Sequence, residues 1–194
     1  MMQRNEIEAA AERVLSEYHI RDNPFAHIKG ICDREAITIK RTTFSQSMDG
    51  AFAVILGQKF IFYNDTKSEA RANFTKAHEL GHYFLKHPLT EGSMISCESV
   101  AEDENGSGKL PSIETEANYF AAAFLMPREL VNREYTAIRQ FLRITPGCRQ
   151  YVDRQACNMK DWNLVCNHLR PLFGVSAEAL GYRLQRLGKI IYNL

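Results

Sequence analysis

The 194-residue chain has no hydrophobic run approaching a membrane span, no internal repeat and no low-complexity tract. A helix that crosses a bilayer needs about 20 consecutive apolar residues, so an integral helical membrane protein is not expected. The opening Met1-Met2-Gln3-Arg4-Asn5-Glu6 leads into a charged, amphipathic helical pattern rather than an apolar signal core, and a cytoplasmic protein is expected. Excess charge of either sign is absent: 24 basic and 23 acidic residues leave a net charge of +1. Bulk electrostatics therefore draws no polyanion to it, and DNA binding is not expected. Cysteine is sparse and odd in number, at positions 32, 97, 148, 157 and 166, with no C-x-x-C pair. That argues against a zinc ribbon and for reduced thiols. Cys148, Cys157 and Cys166 are spaced by nine with His168 nearby, but such spacing has no tight-turn logic for gripping a metal. What is present is 45% hydrophobic residues, the content of an ordinary globular protein long enough for one sizeable core.

The segment His78-Glu79-Leu80-Gly81-His82 reads H-E-x-x-H within a helical pattern. Histidines four residues apart lie one turn above each other on the same helix face, so their ring nitrogens can converge on one tetrahedral ion. Glu79 can reach a water at the open position of such an ion and take its proton as it attacks a carbonyl. Composition alone produces this pattern in roughly one chain of this length in seventy. The plain alternative is a helix whose histidines pack or face solvent. A catalytic site also wants a third protein ligand.

A second helical run follows, from Ser112 to Met126, Ala-rich, opened by Pro111-Ser112 and closed by Pro127. Glu114 and Asn118 are four apart and share a face with Ala121, Ala122 and Leu125; small residues there allow close approach to the metal helix. Glu116 lies about 200° around the wheel from Glu114 at about 100° per residue. Glu114 is therefore taken as the third metal ligand, with Glu116 as fallback and Asn118 placed to hydrogen-bond a ligand histidine. The alternative for Glu114 is an ordinary first-turn acid that complements the helix dipole. His87, five positions after His82, is off the ligand face and is read as a cation at the helix end or a group supporting a ligand. Tyr83 and Tyr119 are oxyanion candidates by proximity to the motifs alone, with aromatic packing the plainer role.

The stretch from Thr75 to His87, followed by Glu114-Thr115-Glu116-Ala117-Asn118-Tyr119-Phe120-Ala121-Ala122-Ala123-Phe124-Leu125-Met126-Pro127, resembles the ImmA/IrrE family of zinc metallopeptidase-like proteins. That family pairs H-E-x-x-H with a downstream E-x-x-A-N-x-F-A-A-x-x-L-M-P helix. The resemblance is strongest from about Gly50 to Pro127, absent from Arg128 to Asp161, and resumes from Leu172 to Gly188. It implies a Zn²⁺-dependent endopeptidase whose protein substrate is a helix-turn-helix transcriptional repressor. His78, His82 and Glu114 would hold the ion and Glu79 would be the catalytic base. The alternative is a non-proteolytic regulator that uses the same zinc fold to bind a repressor or DNA.

Local patterns place these motifs. Helices are expected over residues 3–18 and 23–34, a strand over 36–44, and a hairpin over 50–64 with its turn at Gly57-Gln58-Lys59. Residues 91–109 read as a loop, 128–142 as a helix broken by Pro146-Gly147, and 161–187 as two helices around Phe173-Gly174-Val175-Ser176. The last pair is either a helix-turn-helix, with Arg183, Gln185 and Arg186 as its polar contacts, or a hairpin packed on the rest. The expected fold is α+β: a zincin-like metallopeptidase domain over residues 1–142, its small β-sheet packed on the H-E-x-x-H helix, and a helical C-terminal segment over 143–194.

Overall fold

The computed structural model describes residues 2–44, 48–88, 94–98, 113–144 and 149–193, with 94–98 described for their backbone alone. Pro111, Ser112, Pro146, Gly147, Cys148 and most of the expected 91–109 loop lie outside the described residues. The elements run α1 (Arg4–Glu17), α2 (Pro24–Arg34), β1 (Ile37–Thr42), β2 (Met48–Ile55), β3 (Gln58–Asn64), α3 (Glu69–Phe84), β4 (Met94–Glu98), α4 (Ile113–Leu125), α5 (Arg128–Phe141), β5 (Gln150–Val152), α6 (Ala156–Phe173), α7 (Ala177–Arg186) and β6 (Ile190–Tyr192). This is the mixed α+β fold expected of a zincin-like domain.

The four-stranded sheet has the order β1-β3-β2-β4. β1 runs parallel to β3, and β2 is antiparallel to both of its neighbours, with Phe52 opposite Ile61 on β3 and Ile95 on β4. The metal-motif helix α3 packs on β2 and β3. Ser68 caps its start by accepting from the Arg71 N–H at 3.3 Å, and one turn later the Arg71 guanidinium holds the buried Asp49 carboxylate of β2. Strand and helix thus begin from one ion pair, which Lys67 joins at 3.4 Å.

The Ala-rich helix α4 lies between α1 and α3. Ala117, Phe120, Ala121, Phe124 and Leu125 have no exposed surface, so the helix is enclosed rather than half-solvated. Its small side chains let both neighbours approach. A Cβ on Gly81 would lie 3.2 Å from the Cα and O of Ala117, so the missing side chain lets the backbones of α3 and α4 come close here.

α6 and α7 share this core: Trp162, Val165, Leu169, Phe173, Leu180 and Leu184 belong to the same apolar cluster as Ile7 and Phe120. Gly174, at φ +62°, closes α6 in the left-handed region that favours glycine. Its carbonyl accepts from Asn73 on α3 at 3.3 Å. Of the polar residues expected on a recognition helix, Arg183 is turned to internal use, while Gln185 and Arg186 stay exposed. Arg183 is 3% exposed, pairs through both terminal nitrogens with Glu8 of α1, and donates Nε–H to the Met126 carbonyl at 3.0 Å. Arg186 lies over the Tyr119 ring.

Four local expectations are corrected. The β2–β3 turn is Leu56-Gly57, both at positive φ, so β3 begins at Gln58, inside the expected turn. A strand, β4, lies within the segment read as a loop. α6 begins at Ala156 and runs through Pro171, which falls in its last turn. β5 and β6 form a two-stranded parallel pair that no local pattern announced.

Candidate metal centre

His78 and His82 project from the fully buried face of α3 toward the first turn of α4. Their Nε2 atoms are 2.9 Å apart. Glu114 meets both: Oε2 is 3.1 Å from His78 Nε2, and Oε1 is 3.5 Å from His82 Nε2. One donor atom from each of these three residues lies within 4.8 Å of the others, and among the described residues no other such group of His, Cys, Asp and Glu occurs. Tetrahedral ligands about 2.05 Å from an ion sit about 3.3 Å apart, so the spacing fits a single small cation. A cation there would take the place of the imidazole protons that otherwise bridge the rings and the carboxylate.

Charge follows the same logic. Burial raises the Glu114 carboxyl, but hydrogen bonds and charge from His78 and His82 outweigh it and hold the pKa at about 2. Burial lowers the His82 pKa, favouring the neutral ring that a metal needs. Glu79 stands beside the trio, fully buried, and among the described residues its oxygens make no side-chain hydrogen bond. Burial and the nearby Glu114 charge push its pKa well up, with the Phe52 backbone acting the other way. A desolvated carboxylate facing no counter-charge among the described residues, next to three converging donors, suits a site that supplies a cation and a water. Gly50 of β2 lets α3 lie close to the strand, since a Cβ there would collide with the Thr75 methyl and lie 2.7 Å from the Phe62 carbonyl, while only touching Glu79 Oε1 at 3.5 Å.

Neither supporting partner of the histidines is itself in the donor trio. Asn118 Oδ1 lies 2.8 Å from His78 Nδ1, the place expected for it. His87 Nδ1 lies 2.9 Å from His82 Nδ1, and His87 Nε2 is 3.2 Å from Glu116 Oε2. The fallback Glu116 thus points away from the trio and onto His87. Helical phase put His87 off the ligand face, but the helix has ended by then. Lys86, at φ +56°, reverses the chain, and the His87 N–H bonds the His82 carbonyl at 3.0 Å. The signal that could have found this arrangement was a second histidine just past a helix end, with an acid two residues from the ligand acid.

The remaining expectations resolve simply. Tyr83 donates to Glu35 Oε2 at 2.6 Å and accepts from Lys59, so its hydroxyl ties α2, α3 and β3 together. Tyr119 is flanked by the Arg4 and Arg186 guanidiniums. Cys32 and Cys166 are buried thiols, with pKa values pushed by burial to about 12 and about 11, while Cys157 is exposed. Among the described residues no helix is long and apolar enough to cross a membrane.

A profile of the Peptidase M78 family, described as an IrrE N-terminal-like domain, matches residues 32–185. Among solved structures, a Mycobacterium tuberculosis transcriptional regulator is similar at a TM-score of 0.54 and 18% identity, over 93% of this chain and 46% of that one. At that identity the likeness is one of fold, and the chain spans about half the length of the structure it matches. No curated protein sequence matches it. The family profile runs from the end of α2 into α7 and takes in the H-E-x-x-H helix, the Glu114 helix and both histidine supports, so the chain belongs to the Peptidase M78 family of IrrE N-terminal-like domains.

Proposed function

We propose that the protein is a zinc-dependent endopeptidase, with His78, His82 and Glu114 as metal ligands and Glu79 as general base. The observation that carries this reading is the desolvated Glu79 carboxylate, with no side-chain hydrogen bond among the described residues, beside three converging donor atoms. A structural site would need no such base. Zinc, when bound, would polarise a scissile carbonyl and lower the pKa of a water toward neutrality. Glu79 would take the proton from the attacking water and return it to the leaving amine. Glu114 would offer a carboxylate oxygen, and burial, which favours the neutral ring of His82, would leave that ring a lone pair to give. Membership of a metallopeptidase family supports the reaction class. The substrate we propose is a helix-turn-helix repressor, on the family resemblance of the two motifs, and the setting is the cytoplasm. The division into a catalytic unit over residues 1–142 and a helical segment over 143–194 is proposed as one of roles, with the C-terminal helices serving packing or partner recognition.

Glu79→Gln tests the reading. The amide is nearly isosteric but cannot accept a proton. The variant should retain zinc at the wild-type ratio and leave a co-expressed partner repressor intact, where wild type cleaves it. If the variant counteracts the repressor as well as wild type does, the protein works by binding and the peptidase reading fails.

A further inference from the structure

We propose that His87 and Glu116 are positioning residues for the metal centre, which together fix the tautomer and rotation of His82 so that its Nε2 lone pair faces the ion. This rests on the reading of His82 as a ligand.

Two imidazoles that meet Nδ1 to Nδ1 at 2.9 Å must share one proton. A pair of neutral imidazoles allows two arrangements. If His87 donates, its own Nε2 becomes a lone pair facing the Glu116 carboxylate at 3.2 Å, which sets two acceptors against each other in a buried site. If His82 donates, His87 carries its proton on Nε2 and gives it to Glu116. Each contact then pairs one donor with one acceptor, and His82 Nε2 is left bare. The carboxylate of Glu116 therefore selects the tautomer of a ring it does not touch.

The chain of contacts is anchored at its far end. Glu116 Oε1 accepts the Met2 backbone N–H at 2.9 Å. His87 and Glu116 are 7% and 6% exposed, so water does not replace either partner freely. The rings of His82 and His87 meet edge-on, with centroids 4.9 Å apart and planes at 71°, so rotation of His82 is blocked as well. His78 has a simpler support in Asn118, an acceptor for its Nδ1–H. One helix, α4, thus provides the carboxylate at the trio through Glu114 and the orientation of both rings through Asn118 and Glu116.

The test measures zinc affinity by competition with a chromogenic chelator, for wild type, Glu116→Gln, His87→Ala, the double variant and His82→Ala. Glu116→Gln and His87→Ala should each weaken zinc binding roughly 10- to 100-fold. The double variant should be no weaker than His87→Ala, because Glu116 acts through His87. Cobalt(II) bound to either single variant should show a changed visible spectrum, and the metal-free forms should melt within a few degrees of wild type. Wild-type affinity and spectrum in both single variants, with zinc lost in His82→Ala, would overturn this proposal while leaving the ligand assignment standing. Additive losses, or melting of the metal-free variants lowered in proportion to lost affinity, would overturn it in favour of plain packing. Wild-type zinc binding by His82→Ala would instead remove the ligand reading on which it rests.

Discussion

Glu114 and Glu116 stand two residues apart on one helix and have opposite surroundings. The Glu114 side chain is one-third exposed and faces two imidazole nitrogens, whereas Glu116 is enclosed against His87 and a backbone amide. Their substitutions should differ in kind. Wild-type protein should carry about one zinc per chain by three-ligand logic, measured by elemental analysis of protein purified without chelator. His78→Ala, His82→Ala and Glu114→Ala should each lose most of it. Retention of full zinc by Glu114→Ala would take that carboxylate out of the ligand set. Glu79 and Glu114 show why neighbouring acids must be judged by surroundings rather than by type. One is fully buried near a second carboxylate and pushed toward its neutral form; the other faces histidines and is held ionised.

At the scale of elements, the α3–α4 contact decides whether the ligands meet. Gly81, inside the metal motif, is where the helices touch, 3.2 Å from Ala117 and from the Phe120 Cβ as measured from an added Cβ. Gly81→Val should force the helices apart, destabilise the fold by about 2 kcal/mol through overpacking, and weaken zinc binding as Glu114 withdraws. Chemical denaturation and the zinc competition assay together check this; unchanged zinc affinity would mean that the spacing is set elsewhere. Helices such as this pair were legible in the sequence because their signals are local: apolar residues at helical spacing, caps and prolines. The trio of His78, His82 and Glu114 was legible for the same reason, being two short motifs on two readable helices. The elements that escaped are those whose reason lies far along the chain. β4 is a strand because β2 offers it an edge, and β5 pairs with β6 some forty residues away. The Leu56-Gly57 turn escaped because leucine seldom enters the left-handed region, so the turn was placed one residue too far along. Arg183 looked like a surface residue on a binding helix until Glu8, 175 positions distant, took it inward.

For the whole molecule, that Glu8–Arg183 pair sets a dependence on acid. Burial raises the Glu8 carboxyl, but the hydrogen bond and charge of Arg183, with Arg128 beyond, bring it below its ordinary 4.5. A carboxyl lower in the folded state than in the unfolded one stabilises fully above the unfolded value, and that contribution is lost as pH falls through the folded value. Glu8→Gln leaves a buried guanidinium without its counter-charge, which should cost about 3 kcal/mol near neutral pH. The difference from wild type should shrink as the pH is taken down from above 4.5 through the lowered folded value, because wild type then loses the same charge. Urea denaturation at a series of pH values reads it; a constant gap across that range would show that the pair contributes through shape rather than charge.

α1 also has a place in time. A ribosome releases it well before its packing partner α4, which follows about a hundred residues later, and before the guanidinium for Glu8, later still. Met2, which closes the line of contacts behind His82, belongs to that same waiting segment. Until α4 has emerged, the helix lacks its main packing surface. Burial of α1 and completion of the donor trio therefore both wait for α4, and a chain released short of it should hold no zinc.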